Sequence, residues 1–130
     1  MFTRTRFVTH RLSHVAGRKF GSSYSQIPKL SSLQEFQEQI LDSKNGVKVI
    51  DFYATWCGPC KAMTPHISKM MQEYPSVDFY KVDVDQAMDV ARSCDISAMP
   101  TFMLVKDGRI TSKVVGANPA ALENGIKDTL

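Results

Sequence analysis

Cysteine is scarce in this sequence: there are three in 130 residues, and only Cys57 and Cys60 stand close together. A secreted disulfide framework uses cysteines in larger, even numbers, so that class is set aside. Long apolar runs are lacking too. None approaches the ~18 consecutive apolar residues of a membrane span. The N-terminal segment, whose longest apolar run is two or three residues, falls short of the apolar region of about 7–15 residues in a secretory signal. No segment repeats another, and no low-complexity tract interrupts residues 27–130. What is left is the size of one domain, long enough to build a core without disulfide or metal staples.

Acid is absent from the beginning of the chain, where Glu35 is the first acidic residue. Residues 1–20 hold Arg4, Arg6, Arg11, Arg18 and Lys19, a charge of +5, while the other 11 basic and 13 acidic residues leave −2. The net +3 therefore belongs to the leader, and no nucleic-acid surface is expected on the folded part. Val8, Leu12 and Val15 recur at i, i+4 and i+7, which a helix would align in one stripe flanked by Arg4, Arg11 and Arg18. A segment rich in Arg and Ser and poor in acid has the composition of an organelle transit peptide. A mitochondrial address is expected, because the inner-membrane potential draws positive charge inward. Arg18-Lys19-Phe20 before Gly21-Ser22-Ser23 resembles a processing site and divides the chain into a leader, 1–20, and a domain, 21–130. A chloroplast address and a basic tail without a targeting role are the rival readings.

Beyond the leader, Ser32 and Glu35 have capping-box spacing, and Leu33, Phe36, Ile40 and Leu41 predict a helix to about residue 42. The apolar run 47–54 predicts a central strand buried on both faces. A helix is expected over about 57–74, with Pro59 tolerated in its first turn, Pro65 kinking it and Pro75 stopping it. Met63, Ile67, Met70 and Met71 mark its inner side. A strand over 77–84 and a short helix over about 86–93 follow. Residues 101–105 and 110–115 flank Lys106-Asp107-Gly108-Arg109 and read as a hairpin, ahead of a last helix over about 118–130. A short strand near Ile27 would precede all of these. This order predicts an α/β fold: a mixed central sheet, parallel in its first part and ending in an antiparallel hairpin, flanked by helices on both faces.

The chemistry gathers at Trp56-Cys57-Gly58-Pro59-Cys60-Lys61. Two cysteines three apart, on a strand-to-helix turn, can close a disulfide with little backbone motion. Cys57 would sit at a helix N-terminus, which favours the thiolate, the attacking species. Cys60, one turn in and less exposed, would resolve the mixed disulfide. Asp51, an acid inside an apolar strand, is costly to bury ionised, so its pKa is expected to rise and it would accept the proton of Cys60 through water. Lys81, on the neighbouring strand, is its expected partner. Pro100 enters a strand after Met99 and is a candidate for a cis bond beside Cys57, leaving the Met99 backbone to pair with an extended client. Cys94 reads as a partly buried filler, with a regulatory thiol as the alternative. His66 reads as a surface or packing residue.

Residues 51–61 (Asp51-Phe52-Tyr53-Ala54-Thr55-Trp56-Cys57-Gly58-Pro59-Cys60-Lys61), followed forty residues after Cys60 by Pro100-Thr101, resemble the thioredoxins over roughly residues 25–130. The basic leader and the ending, from Gly116-Ala117-Asn118-Pro119 through Gly125-Ile126-Lys127-Asp128, are similar to the mitochondrial thioredoxins of fungi. The resemblance implies the thioredoxin fold and a client groove of Trp56, Gly58, Pro59, Met99, Pro100, Gly116 and Ala117. It implies reduction of protein disulfides, with no cofactor bound in this chain and re-reduction by a flavoprotein (FAD) thioredoxin reductase using NADPH. Peroxiredoxins and methionine sulfoxide reductases would be partners, and a monomer is expected. Rival readings are a metal site, for which one cysteine pair supplies too few ligands, a glutaredoxin or protein disulfide isomerase domain, and a docking module without catalysis. Pro59 before the second cysteine favours the thioredoxin reading.

Overall fold

The computed structural model describes residues 23–130, so the expected leader, its helix and its boundary at residue 21 lie outside the described residues. Strand β1, Val47–Tyr53, is buried at every position but the last, as its β-branched and aromatic run requires. Strand β2, Asp78–Asp83, lies parallel to β1, while β3, Thr101–Lys106, runs antiparallel on its other side and β4, Arg109–Val115, completes the sheet in the order β2-β1-β3-β4. The expected mixed sheet is present, its parallel part a single pair. The hairpin between β3 and β4 turns at Asp107 and Gly108, both with positive φ, and a Cβ on Gly108 would come within 2.6 Å of the Leu41 carbonyl. Only glycine fits there.

Helix α1, Leu33–Phe36, opens where the spacing predicts: Ser32 Oγ accepts from the Glu35 N–H at 3.1 Å, and Glu35 reaches back to the Ser31 N–H at 2.6 Å. It continues as one π-helical turn, Gln37–Leu41, in place of the expected α-helix, the Asp42 N–H bonding to the Gln37 carbonyl. Phe36 and Ile40 are buried but Leu33 is 43% exposed, so the apolar face is narrower than the spacing suggests. Helix α2, Gly58–Glu73, runs through Pro65, which has no N–H to give the Lys61 carbonyl. Helix α3, Met88–Ser93, begins two residues later than predicted. The turn before it is held by Asp83, whose carboxylate accepts from the N–H groups of Asp85 and Gln86 and whose carbonyl accepts from Ala87. Helix α4, Pro119–Thr129, is capped by Asn118 through the Ala121 N–H. Among the described residues no helix is long and apolar enough to cross a membrane.

The strand period of two sorts the core into two layers. Val47 and Val49, with Phe102 and Leu104, pack on Met63, Ile67 and Met70 of α2 and on Leu122 and Ile126 of α4. Ile50 and Phe52, with Met103 and Val105, pack on Phe36 and Ile40 and on Val90 of α3. Asp51 shares the parity of Val47 and Val49, so it falls on the α2 side, and the ladder sets it opposite Lys81. The strand expected near Ile27 is a 3₁₀ turn, Tyr24–Gln26, followed by a single bridge from Lys29 to Lys81. Pro28 has no N–H for a longer ladder, but its carbonyl accepts from Lys81 at 3.0 Å.

Candidate active site

The site is the corner where β1 hands over to α2. The Cys57 N–H bonds to the Ala54 carbonyl at 3.2 Å, which turns the chain, and Cys57 becomes the N-cap of α2. Its Sγ accepts from the Cys60 N–H at 3.1 Å, satisfying one of the donors that every helix leaves unpaired at its start. Gly58 and Pro59 form the exposed first turn, where a missing N–H costs nothing. Cys57 and Cys60 are joined in a disulfide with Cα atoms 5.3 Å apart. Cys60 was expected to be the less exposed of the two, but they are equally covered, at 4% and 5%. Together with Ala54 they make a small cluster of their own, and Tyr53, Val84 and Met99 pack against it.

Two sides frame this corner. On one, Trp56 is 67% exposed and its indole Nε1 donates to Asp85 Oδ2 at 2.8 Å. Asp85 is a residue the sequence reading left without a role, because the turn that brings it under Trp56 depends on Asp83. On the other, the Met99–Pro100 peptide is cis, Pro100 is buried, and its carbonyl accepts from the Gly116 N–H at 2.8 Å. Thr101 Oγ1 donates to the Ala98 carbonyl at 2.6 Å, and Gly116 has φ of 102°, a value that favours glycine. Exposed Ala117 follows it. Met99 packs against the disulfide cluster, and the Pro100–Gly116 bond holds the segment of Gly116 and Ala117 to the residue that follows Met99.

Asp51 lies behind the corner, 3% exposed. Burial raises its pKa to about 6, against the opposing pull of a Tyr24 hydrogen bond and of Lys81. The direct contact is with Tyr24, whose hydroxyl donates to Asp51 Oδ2 at 2.7 Å. Lys81, the partner expected from the sequence, acts on the carboxylate through space. Its ammonium lies 4.7 Å from the centre of the Tyr24 ring and donates to the Tyr24 carbonyl at 3.5 Å. Burial first, then Lys29, lowers the Lys81 pKa, while Asp51 supports it. A cavity of about 210 Å³ lies beside Cys60, lined by Tyr24, Tyr53, Ala54, Thr55, Lys61 and Thr64. No sequence motif pointed to Tyr24; its contact with Asp51 spans 27 residues of chain.

Cys94 is buried in the second core layer and is a free thiol, its pKa raised by burial. His66 is exposed on α2. Among the described residues no group of three or more His, Cys, Asp and Glu converges as a metal would require.

A disulfide between cysteines three residues apart at a helix start, on a mixed sheet that buries a carboxyl in the strand before it, defines a thiol-disulfide oxidoreductase. Residues 28–128 match the family model described as Thioredoxin. The chain is 56% identical over 110 residues to mitochondrial Thioredoxin-3 of Saccharomyces cerevisiae, an alignment covering 85% of each protein. Among solved structures, the oxidised form of that yeast thioredoxin superposes with a TM-score of 0.76 at 56% identity, covering 81% of this chain and 97% of the other. A structure from work on thiol resolution in a yeast mitochondrial 1-Cys peroxiredoxin by the glutathione and thioredoxin systems gives 0.77 at the same identity, covering 82% and 98%. The chain belongs to the thioredoxin family and is a disulfide oxidoreductase acting on protein disulfides.

Proposed function

We propose that this chain reduces client disulfides with Cys57 as nucleophile, Cys60 as resolving thiol and Asp51 as general base. The observation that carries the reading is Cys57 Sγ seated as the N-cap of α2 and bonded to Cys60 one turn along. In the reduced protein the N-terminus of α2 favours negative charge on that sulfur. The Cys57 thiolate attacks a client disulfide, forming a mixed disulfide and releasing one client sulfur as thiolate. Cys60 passes its proton to Asp51, with Lys81 supporting the carboxylate, and attacks Cys57 Sγ. The second client sulfur leaves, and the two electrons given to the client are balanced by the Cys57–Cys60 disulfide.

Trp56, Gly58, Pro59, Met99, Pro100, Gly116 and Ala117 form the client platform. The main chain of Met99 pairs with an extended client segment in the manner of strand addition. Re-reduction falls to a flavoprotein thioredoxin reductase drawing on NADPH, and peroxiredoxins and methionine sulfoxide reductases are client classes. The chain acts as a monomer without a bound cofactor, apart from nucleic acid and membranes. Its place is mitochondrial, in the matrix, with residues 1–20 as transit peptide and 21–130 as the working domain. The composition of the leader and the 56% identity to a mitochondrial relative support that location.

Insulin-disulfide reduction by residues 21–130, driven by NADPH and thioredoxin reductase, tests the reading. Turnover that disappears in Cys57→Ser is expected. A folded protein with titratable thiols and no turnover would overturn it in favour of a glutathione-coupled enzyme or a docking module.

A further inference from the structure

We propose that Tyr24 is a positioning residue for the resolving step, its hydroxyl fixing Asp51 through Oδ2 so that Oδ1 is the oxygen left to receive the Cys60 proton. The proposal rests on the reading of Asp51 as general base. Tyr24 precedes residue 28, where the match to the thioredoxin family model begins, and it is tied down from three directions. Its N–H donates to Ser68 Oγ of α2 at 3.0 Å, and its carbonyl accepts from Ile27 at 3.1 Å and from Lys81 of β2 at 3.5 Å. Its ring packs against the first core layer with the Lys81 ammonium over its face.

This anchoring makes the phenol a fixed donor. Burial, followed by the Asp51 charge, raises the Tyr24 pKa well above its ordinary value, so the hydroxyl keeps its proton and competes for none. Asp51 Oδ1, buried, accepts no hydrogen bond from the protein. Tyr24 and Cys60 line the same cavity, and the Tyr24 hydroxyl reaches from it to Asp51. The groups that can bias Asp51 are few. Tyr24 bonds it, Lys81 faces it from β2 with Lys29 acting on Lys81, and Tyr53 lies two residues along β1. On β3 its ladder partner is Phe102, and α4 brings Leu122 and Ile126 to this layer. A hydrogen bond to the carboxylate favours the ionised form, which is the form a base needs.

The test is rapid mixing of the reduced full chain with an aryl disulfide whose thiolate is coloured. The first thiolate reports attack by Cys57 and the second reports resolution by Cys60, followed from pH 5 to 9. Tyr24→Phe keeps the ring over Lys81 and removes only the hydroxyl. The midpoint of the second phase is expected to move upward by about one pH unit, from the loss of one hydrogen bond to a charged group. That makes resolution roughly five-fold slower near pH 6 and nearly unchanged above pH 8. In an Asp51→Asn background, Tyr24→Phe is expected to change nothing further, because the two act as one unit. If Asp51→Asn flattens the second phase but Tyr24→Phe superimposes on the parent, the role of Tyr24 is overturned and Asp51 stands. If Asp51→Asn leaves the profile unmoved, the general-base reading itself is overturned.

Discussion

Cys57 and Cys94 are hidden from solvent to nearly the same degree, at 4% and 7%, yet they occupy opposite ends of their helices. Cys57 is the N-cap of the sixteen-residue α2, and Cys94 is the C-cap of the six-residue α3. One sulfur receives a backbone N–H, while the other belongs to a C-cap residue and has its pKa raised by burial against the pull of the Ser93 hydroxyl and the Lys113 charge. The neighbours differ as well. Cys57 belongs to a three-residue cluster at the edge of the core, and Cys94 to the continuous layer formed by Ile50, Phe52, Val90 and Met103. Lys113 closes the Cys94 side by donating to its carbonyl. The regulatory reading of Cys94 gains nothing from this setting, since a thiol with a raised pKa inside a packed layer is a poor nucleophile. With exposure nearly equal, what separates the two is the position on the helix and the surroundings: a helix start that gives Cys57 Sγ an N–H, against a packed apolar layer around Cys94.

The largest break in the comparison should come from Cys60→Ser. Turnover is lost and clients remain attached to Cys57, to be recovered as disulfide-linked adducts on non-reducing gels. Recovery of adducts through Cys94 instead would reverse the assignment of the two environments. Asp51→Asn comes next. The carboxyl has its pKa raised from 3.8 to about 6, so between those values the native state holds a proton that the unfolded chain has released. Stability is therefore full below about pH 4 and is lost as pH rises through 6. Removing the acid should stabilise the fold by up to about 3 kcal/mol at pH 7, erase that slope in denaturant titrations, and slow turnover several-fold. The smallest effect belongs to Cys94→Ala. It should cost about 1 kcal/mol for the lost buried volume and leave the rate of insulin reduction unchanged. A drop in that rate would show that Cys94 takes part in the reaction.

Much of this site was legible along the chain because its parts are local. Cys57 and Cys60 are one helical turn apart, Gly58 and Pro59 obey first-turn rules, and Asp51 stands out in an apolar strand. Lys81 could be placed opposite Asp51 because two neighbouring strands of period two leave few registers. Tyr24 was not legible, since its position depends on how an irregular segment lies across β2, and three polar contacts decide that. Asp85 escaped for a related reason: its carboxylate finds Trp56 only after Asp83 has folded the turn. The equal burial of Cys57 and Cys60 is a tertiary outcome, since Val84 and Met99 reach their cluster from other parts of the chain. The single bridge at Lys29 and the π turn after Phe36 show the same limit, because the apolar spacing there suits more than one backbone geometry.

Trp56 is the only tryptophan in the chain, and it stands next to Cys57 with its ring fixed by Asp85. Indole emission from the native protein therefore arises from one place, beside the bond that forms and breaks. Because a neighbouring disulfide and a pair of thiols affect an excited indole differently, the protein carries its own optical gauge of oxidation state. No dye or added label is needed to follow it.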